Sequence, residues 1–502
     1  MNPREPIRDI VIVGGGTAGW MTAAAFARFL APGRRIRLVE SEAIGTVGVG
    51  EGTIPPMLEF NAMLGLPEPT FLKETKGSYK LGIDFAGWGA EGERYFHPFG
   101  HMGSSLEGVP FHQLWLKHRD RPGIGPIVAY SMAALAGLNG RFAPPAPTPG
   151  SPIAPLAYAY HLDAGLYAAM LRRFSEARGI ERIEGRIVGV ERDGESGRVA
   201  AVRLEDDRRI DGQLFIDCSG FRSLLLGQTM GVPFEDWSHW LPCDRAIAVP
   251  TERTEPLLPY TRATAHAAGW QWRIPLQHRT GNGHVYSSAH ISDEEAERVL
   301  VQHLDAKTVG PFNRLRFKAG RYARAWEGNV VAVGLSAGFL EPLESTSIYL
   351  IQHGIQKLFS LFPDLRFAAV ERDEYNLALC DSYERVRDFI ILHYQATRRT
   401  EPFWQEVRAV PMPETLRRKI DLFADKGRIF RYKDELFELP SWVAVMLGQG
   451  IMPEGYDPLA DSLPDDQVAA ALSQLRGAYR KAALSLPPHA DFLTRVLSAA
   501  PA

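Results

Sequence analysis

The feature that most constrains this chain is a glycine-rich turn between a short β-branched run and an apolar helical pattern. Residues 10–13 predict a strand, the turn GGGTAG follows at once, and residues 17–30 carry apolar side chains with helical periodicity. A second strand is predicted at residues 36–39, with Glu40 directly after it. This βαβ order is the sequence pattern of a Rossmann-like dinucleotide site.

Each part of this pattern has a physical role in holding a dinucleotide. Glycines let the backbone approach a pyrophosphate, the helix N-terminus stabilises its charge, and an acid after the second strand can hold a ribose hydroxyl. A glycine-rich structural turn is the alternative interpretation. The residues predicted to contact the cofactor here are Gly14, Gly15, Gly16, Thr17, Ala18, Gly19 and Glu40.

A second segment favours FAD over NAD. Residues 214–217 predict a strand that ends at Asp217, and a tight polar turn through Ser219 and Gly220 follows. The segment is similar to the D-x-S/T-G-x-x-S segment of FAD-dependent hydroxylases, although taken alone it could be an ordinary strand end. We therefore expect Asp217 and Gly220 at the flavin.

The coarse pattern predicts a mixed α/β (α+β) fold: a Rossmann-like FAD-binding domain of the flavin monooxygenase type and a mainly helical C-terminal substrate-binding subdomain. We expect the first domain over residues 1–400, with inserted substrate-site segments that include a proline-rich loop at residues 143–155, and the second over residues 401–502. Alternating β-branched and charged residues at 183–216 predict a hairpin or meander.

Composition excludes several classes of function. Lys plus Arg total 56 against 59 for Asp plus Glu, so nothing indicates a nucleic-acid or anionic-membrane partner. The 3 cysteines form no CxxC pair, which argues against a disulfide framework or a cysteine zinc site. The longest nearly apolar stretch, residues 127–138, is too short for a bilayer, which takes about 20 residues. We expect a cytoplasmic protein with a small-molecule partner and no metal.

Several motifs together resemble one family. They are GGGTAGW, VGVGEGTIP (47–55), GSYKLGIDFAGWG around Lys80, the W-x-W-x-I-P segment at residues 270–275, and GFLEPLESTSIYLIQHGI (338–355). Over residues 10–460 the chain resembles a flavin-dependent halogenase of the tryptophan-halogenase family. The W-x-W-x-I-P pattern discriminates best, because simple flavin hydroxylases lack it.

The resemblance implies that FAD, as FADH2, reacts with O2 and a halide ion, chloride or bromide, to make hypohalous acid, which travels to a lysine beside the substrate. Lys80 matches that lysine, as an ammonium that hydrogen-bonds the acid or as an amine that becomes a haloamine. Glu344 matches the family's carboxylate, which orients the acid and takes the ring proton. The alternative is that Glu344 or Glu341 stabilises a helix opened by Ser345.

The resemblance also places the halide and further flavin contacts. The backbone amides of Thr346 and Ser347 match the halide site, where the family commonly has glycine in place of Ser347, so the preferred halide stays open. Trp270 and Trp272 are expected near the flavin, with core packing as the alternative. The other implied flavin contacts are Val49, Ile187, Leu335 and Ile348.

The substrate is expected between aromatic faces. His97 and Phe99 fall where the family sandwiches an indole, and Trp442 is a further implied contact, although His97 could instead be a core residue. Residues 430–450 are shorter than the family's lid for free tryptophan and lack its paired tyrosines. An indole without the zwitterion is therefore favoured.

Three other functions stay open at this stage: an FAD-dependent aromatic hydroxylase, in which Lys80 would be idle, a free-tryptophan halogenase, and a flavoprotein that binds reduced FAD without turnover. The sequence contains no second dinucleotide site. We therefore expect a separate flavin reductase as a partner, with a homodimer also allowed.

Overall fold

The structure is a computed structural model that describes residues 5–30, 33–43, 50–145, 151, 153–433 and 435–499. Its first sheet has six strands in the spatial order β20 (Trp326–Glu327), β21 (Val330–Ala332), β12 (Leu214–Asp217), β1 (Asp9–Val13), β2 (Arg35–Glu40) and β8 (Glu181–Glu184). All neighbours are parallel except β20 and β21.

The predicted βαβ opening is confirmed. Strand β1 is central in the sheet, and its apolar residues are buried, as expected for a parallel strand covered on both faces. Helix α1 (Thr17–Phe29) follows the glycine-rich turn and packs against α6 (Ala164–Glu176). The carboxyl ends of β1, β2 and β12 therefore meet at one edge of the sheet, where an α/β fold binds its ligand.

A second, seven-stranded sheet carries the other side of the site. Its order is β18 (Asn313–Arg316), β14 (Arg245–Thr251), β17 (Thr280–Tyr286), β16 (Gly269–Pro275), β15 (Thr261–His266), β5 (Gly82–Ala86) and β6 (Arg94–Pro98). Strand β16 contains the W-x-W-x-I-P segment, and β6 contains His97. One sheet thus supports both the expected flavin side and the expected substrate side.

Three small sheets complete the β structure. They are β3 (Gly50–Gly52), β7 (Ala159–Asp163) and β4 (Ser78–Lys80); β11 (Arg209–Asp211), β10 (Val199–Leu204) and β9 (Ile187–Arg192); and β13 (Phe234–Asp236), β19 (Gly320–Tyr322) and β22 (Gly338–Phe339). The predicted meander is the second of these. The ends of that stretch, β8 and β12, lie instead in the parallel sheet.

The remaining helices are α2 (Pro56–Leu64), α3 (Glu68–Thr75), α4 (Phe111–His118), α5 (Met132–Leu138), α7 (Asp293–Gln302), α8 (Ser347–Ser360), α9 (Ala369–Gln395), α10 (Pro402–Ala409), α11 (Glu414–Lys426), α12 (Leu439–Gly448), α13 (Asp465–Ser485) and α14 (His489–Ser498). The C-terminal part is mainly helical, as predicted. Helix α12 packs on β6, and α13 packs on α5. The boundary at residue 400 stays a prediction.

The described cysteines are free, with Cys218 and Cys243 buried and Cys380 half-buried. Residues 127–138 form a short 3₁₀ turn and α5. Within the described ranges, no helix has both the length and the apolar composition that a membrane span requires.

A buried ion pair joins α11 to the segment before α12. The ammonium of Lys419 donates to both carboxylate oxygens of Glu435, at 2.9 and 2.8 Å, and to the carbonyl of Phe430 at 2.8 Å. The side chains of Lys419 and Glu435 are only 2% and 1% exposed. Each of these two buried charges is therefore compensated by the other.

We predict that Lys419→Met lowers the free energy of unfolding by about 3 kcal/mol or more, because it leaves a buried carboxylate unpaired. The double variant Lys419→Met/Glu435→Leu is expected to recover most of this loss. Urea unfolding measures both values. The matched control is Lys426→Met, which breaks the exposed pair with Asp425 and should cost about 1 kcal/mol or less; equal costs at the two sites would contradict the prediction.

Candidate active site

A cavity of about 470 Å³ opens at the carboxyl edge of the first sheet. Most of the predicted cofactor residues line it: Gly14, Gly15, Gly16, Thr17, Ala18, Glu40, Ile187, Gly220, Leu335 and Ile348. Two predicted residues lie behind its wall, Gly19 and Asp217. Val49 lies outside the described residues.

The glycine-rich turn leaves room for a ligand and not for side chains. A Cβ on Gly15 would overlap Oε2 of Glu40, whereas Cβ atoms on Gly16 and Gly220 would meet no described atom within 4 Å. Both of these open glycines face the cavity. Because the N-cap of α1 makes no side-chain hydrogen bond, its first amides stay free for an anion. The site therefore fits a dinucleotide such as FAD.

Glu40 is held beside this turn by a residue that the sequence did not single out. Nε of Arg182 donates to Oε1 of Glu40 at 2.5 Å. The other oxygen, Oε2, lies next to Gly15. Glu40 is thus positioned to accept from a ribose hydroxyl.

Asp217 supports the second cofactor segment from behind. Its Oδ2 accepts from the amides of Leu225 and Leu226, at 2.8 and 2.9 Å, and its Oδ1 accepts from the amide and hydroxyl of Ser219. Asp217 therefore shapes the turn that presents Ser219 and Gly220 to the cavity. Gly19 also acts through packing, since a Cβ there would meet the carbonyl of Gly14.

Trp270 and Trp272 line the opposite wall of the cavity. The indole N–H of Trp270 donates to Oε2 of Glu341 at 2.7 Å, and the hydroxyl of Tyr394 donates to the same oxygen at 2.6 Å. Burial raises the pKa of Glu341 to about 7. Glu341 thus fixes Trp270 in the cavity wall. In the part of the chain that the structure describes, its side chain makes no hydrogen bond that caps a helix.

Three polar atoms converge at Gly52, which lines the cavity. A Cβ on Gly52 would lie 2.8 Å from Oγ of Ser345, 3.1 Å from Nζ of Lys80 and 3.3 Å from Oγ1 of Thr261. Gly52, Ser345 and Thr261 line the cavity, and Lys80 lies beyond them. We call Gly52, Ser345 and Thr261 the neck. Any larger side chain at position 52 would obstruct it.

Lys80 is fully buried at the end of β4. Its ammonium donates to Oγ of Ser345 at 2.8 Å and lies 5.3 Å from the centre of the Phe99 ring. Burial lowers the pKa of Lys80 to about 7, although Glu344 and Glu51 oppose this shift. Lys80 is therefore not a solvated surface charge.

Glu344 is a buried carboxylate between two histidines. Nδ1 of His97 lies 3.1 and 3.0 Å from its two oxygens, and Nε2 of His393 lies 2.7 Å from Oε1. Burial lowers the pKa of His393, although Glu344 opposes this shift. Burial alone would raise the pKa of Glu344, but His97 and His393 outweigh it and lower the pKa to about 2. Glu344 is thus ionised at neutral pH.

The helix after Glu344 does not begin as predicted. Helix α8 begins at Ser347 with Thr346 as a cap that makes no side-chain bond, whereas Ser345 has a left-handed backbone with φ of 58°. Ser345 therefore does not open the helix, and its hydroxyl meets Lys80 instead. The amide of Ser347 precedes the first intrahelical donor, and Ser347 lines the cavity beside the buried Thr346. Halide binding at these two amides stays a prediction.

Aromatic side chains pack beside Lys80 and His97. The His97 ring is 5.6 Å from Phe389 and 6.3 Å from Phe437, and Phe389 meets Trp442 edge-on at 4.8 Å. We call His97, Phe99, Phe389, Phe437 and Trp442 the aromatic wall. All five are buried.

The sequence did not identify His393, Phe389 or Glu51 as site residues. His393 and Phe389 lie one turn apart in the long helix α9, where apolar and aromatic residues predict only core packing. Glu51 lines the cavity, and burial raises its pKa to about 7. It lies in the VGVGEGTIP motif, so that motif could have indicated it.

The chain is similar over most of its length to known proteins. A family profile described as tryptophan halogenase matches residues 9–465. The tryptophan 6-halogenase SttH of Streptomyces toxytricini is 36% identical over 483 residues, which cover 90% of each chain. Among solved structures, the flavin-dependent halogenase Xcc4156 of Xanthomonas campestris is 46% identical with a TM-score of 0.94 over 99% of both chains. BrvH, a flavin-dependent halogenase from Brevundimonas sp. BAL3, has the same identity and TM-score and covers 99% of this chain and 100% of its own.

We predict that Gly16→Val weakens FAD binding at least about tenfold, because a branched side chain would occupy space that the pyrophosphate needs. Quenching of flavin fluorescence measures the Kd. Gly194→Val is the matched control, since a Cβ there also meets no described atom but lies at a surface turn. An unchanged Kd for Gly16→Val would show that the cofactor is placed wrongly.

Proposed function

This chain belongs to the tryptophan halogenase family, and from that premise we propose that Lys80 delivers an electrophilic halogen to a neutral indole-type arene. It is a flavin-dependent halogenase of an aromatic substrate, with reduced FAD, halide and O2 as its co-reactants. The observation that carries the proposal is the neck, which joins the flavin cavity to a buried ammonium beside aromatic rings.

When bound, reduced FAD would supply two of the four electrons that reduce O2; the halide would supply the other two as it becomes hypohalous acid, and the second oxygen atom would leave as water. The residues that would hold FAD are those of the glycine-rich turn, Glu40 and the turn at Gly220. Trp270 and Trp272 cover the face of the flavin cavity next to the second sheet, and they keep the arene out of this cavity. A hydroxylase would need the arene in that cavity and would leave Lys80 without a role.

Lys80 orients the hypohalous acid after it passes the neck. Its ammonium already donates to the Ser345 hydroxyl, so the acid replaces or joins that acceptor without a new charge being buried. Phe99 lies against the ammonium and gives the arene a flat surface beside the reacting halogen. One ring carbon is thereby presented to the halogen.

Glu344 takes the proton that leaves the ring carbon. Glu344 precedes Ser345 by one residue, and its negative charge partly offsets the burial that lowers the pKa of Lys80, so the carboxylate and the ammonium interact electrostatically. His97 and His393 keep it ionised and fixed before the reaction. A carboxylate in this position both stabilises the cationic ring and accepts its proton.

The charges near the aromatic wall favour a neutral substrate. In the lid segment, residues 430–450, the described charged side chains are already paired: Arg431 with Glu438, Lys433 with Asp381, and Glu435 with Lys419. A zwitterion removed from water needs free partners for both of its charges. An indole needs none.

Three further assignments complete the proposal. A separate flavin reductase supplies reduced FAD, the protein is cytoplasmic, and a second copy of the chain is an allowed partner.

We predict that Lys80→Ala abolishes halogenated product while reduced FAD is still oxidised by O2 at nearly the wild-type rate, because the flavin cavity lies on the other side of the neck. Product is measured by mass, and flavin oxidation by absorbance. Lys481→Ala, an exposed lysine on α13, is the matched control. Near-normal product from Lys80→Ala would refute the assigned role.

The pH dependence follows from the same lysine. Because the pKa of Lys80 is lowered to about 7, its ammonium is present below that pH and is lost above it. We expect the product formed per flavin oxidised to be constant below about pH 7 and to fall above it, while Glu344 stays ionised throughout. Bromide is used, because hypobromous acid itself ionises at higher pH than hypochlorous acid. A yield that rises from pH 6 to 9 would indicate that the neutral amine is the working form.

The substrate assignment predicts that indole is brominated faster than tryptophan is chlorinated. A loosely held indole should react at C3, its most electron-rich carbon, and bromide is easier to oxidise than chloride. Both rates are measured at equal substrate and halide concentrations with one reductase. A clear preference for tryptophan with chloride would mean that another segment supplies the partners for the zwitterion.

A further inference from the structure

A second cavity, of about 410 Å³, lies outside the flavin cavity. It is bounded by the loop after β6, the start of α4, residues 151 and 153–155, and the first turn and a half of α12. Its principal side chains are His101, Met102, Ser104, Phe111, Leu439 and Val443. We call it the side cavity.

Three segments of the side-cavity lining continue into the packing around Phe99, the ring next to Lys80. Phe99 forms a buried cluster with Ile54, against which Ala157 and Leu436 pack. From these cluster residues the chain reaches the side-cavity lining within three residues in each case: from Phe99 to His101, from Ala157 to Pro155, and from Leu436 to Leu439. Three separate segments of chain therefore contribute both to the packing around Phe99 and to the lining of the side cavity.

The lining of the side cavity is uncharged. Among its described residues there is no lysine, arginine, aspartate or glutamate, and leucine, valine, isoleucine, methionine and phenylalanine form much of the surface. Leu439 and Val443 are one turn apart and so face the cavity from the same side of α12. A charged group placed there would lose water and gain no partner.

One buried polar atom in the lining has no partner within the described chain. His112 is 5% exposed, and its Nε2 lies 2.7 Å from the carbonyl of Gly427. A carbonyl only accepts, so Nε2 carries the proton and Nδ1 is left as an acceptor. Nδ1 has no hydrogen-bond partner among the described residues. A ligand hydroxyl or amide N–H would satisfy it.

We propose that the side cavity is a substrate subsite that receives an uncharged arm carried by the aromatic ring, with His112 as the acceptor for a donor on that arm. This rests on the proposed function and deepens it: the substrate is a neutral arene larger than indole. The ring lies at the aromatic wall, and the arm extends past Phe99 into the side cavity.

The first test compares substrates that differ only in the arm. Indole, 5-ethylindole, 5-(2-hydroxyethyl)indole, 5-(2-aminoethyl)indole and indole-5-acetate are brominated by the full-length enzyme with FAD and a reductase, and the 6-substituted series is run in parallel. Relative to indole, the hydroxyethyl compound of at least one series should have a kcat/KM roughly five- to tenfold higher, from the burial of two methylene groups. The amino and carboxylate compounds of both series should gain nothing.

The second test fills the side cavity. Ser104→Trp places a large ring at its exposed rim, and Val443→Phe reduces its volume from the α12 side. In each variant the ratio of kcat/KM for the hydroxyethyl compound to that for indole should fall to about one. Ser485→Trp, on the surface of α13, is the control and should keep the wild-type ratio.

The outcomes distinguish failure of the substrate subsite from failure of the proposed halogenase function. If the wild-type enzyme fails to brominate indole, the proposed function is wrong. If indole is brominated but no neutral arm is preferred, if a charged arm is favoured equally, or if filling the cavity leaves the ratio unchanged, only the subsite is refuted. His112→Leu adds a separate readout: the advantage of the hydroxyethyl over the ethyl compound should disappear, and its persistence would remove His112 from the proposal.

Discussion

The hydrogen bond from the buried ammonium of Lys80 to Ser345 is the interaction on which the arrangement of the site depends. It links a strand near the N-terminus to a turn that precedes α8, across 265 residues of chain. The left-handed backbone at Ser345 turns the hydroxyl toward Lys80 and leaves Glu344 and Ser347 on either side. The left-handed backbone of Ser345 thus sets the positions of Glu344, Lys80 and Ser347 relative to one another.

The strand that carries Lys80 is itself held by the last described helix. Strand β4 pairs with β7 on one side, and on the other the amide of Tyr79 donates to Nε2 of His489, 3.2 Å away. Nδ1 of His489 meets the carbonyl of Leu257 at 2.9 Å, and burial lowers the pKa of this histidine to about 4, so it stays neutral. The C-terminal helices therefore contribute to the position of the lysine as well as to the aromatic wall.

Buried carboxylates serve three different purposes in this molecule. Glu344, between two histidines, is kept ionised, and Glu341, which has a raised pKa, accepts hydrogen bonds from Tyr394 and from Trp270, a residue that lines the flavin cavity. Glu435 compensates Lys419 and fixes the lid. Sequence spacing cannot separate these roles, because each depends on which distant donors surround the carboxylate. The surroundings of each carboxylate, more than its residue type, decide whether it stays ionised between histidines, accepts hydrogen bonds from neighbouring rings or pairs with a lysine.

The sequence by itself determined the features that depend on neighbours along the chain. The glycine-rich turn, α1 and β2 follow from local periodicity and backbone freedom, and the resemblance in the motifs indicated Lys80 and Glu344. Only the tertiary structure decided that β8 and β12 leave the meander for the parallel sheet, that Ser345 meets Lys80, and that His393 meets Glu344. It also placed Asp217 behind the flavin cavity and Phe389 and Phe437 in the aromatic wall. The reason is physical: burial and hydrogen-bond partners between residues far apart in sequence are set by how sheets and helices pack, and a linear pattern contains no distance between them.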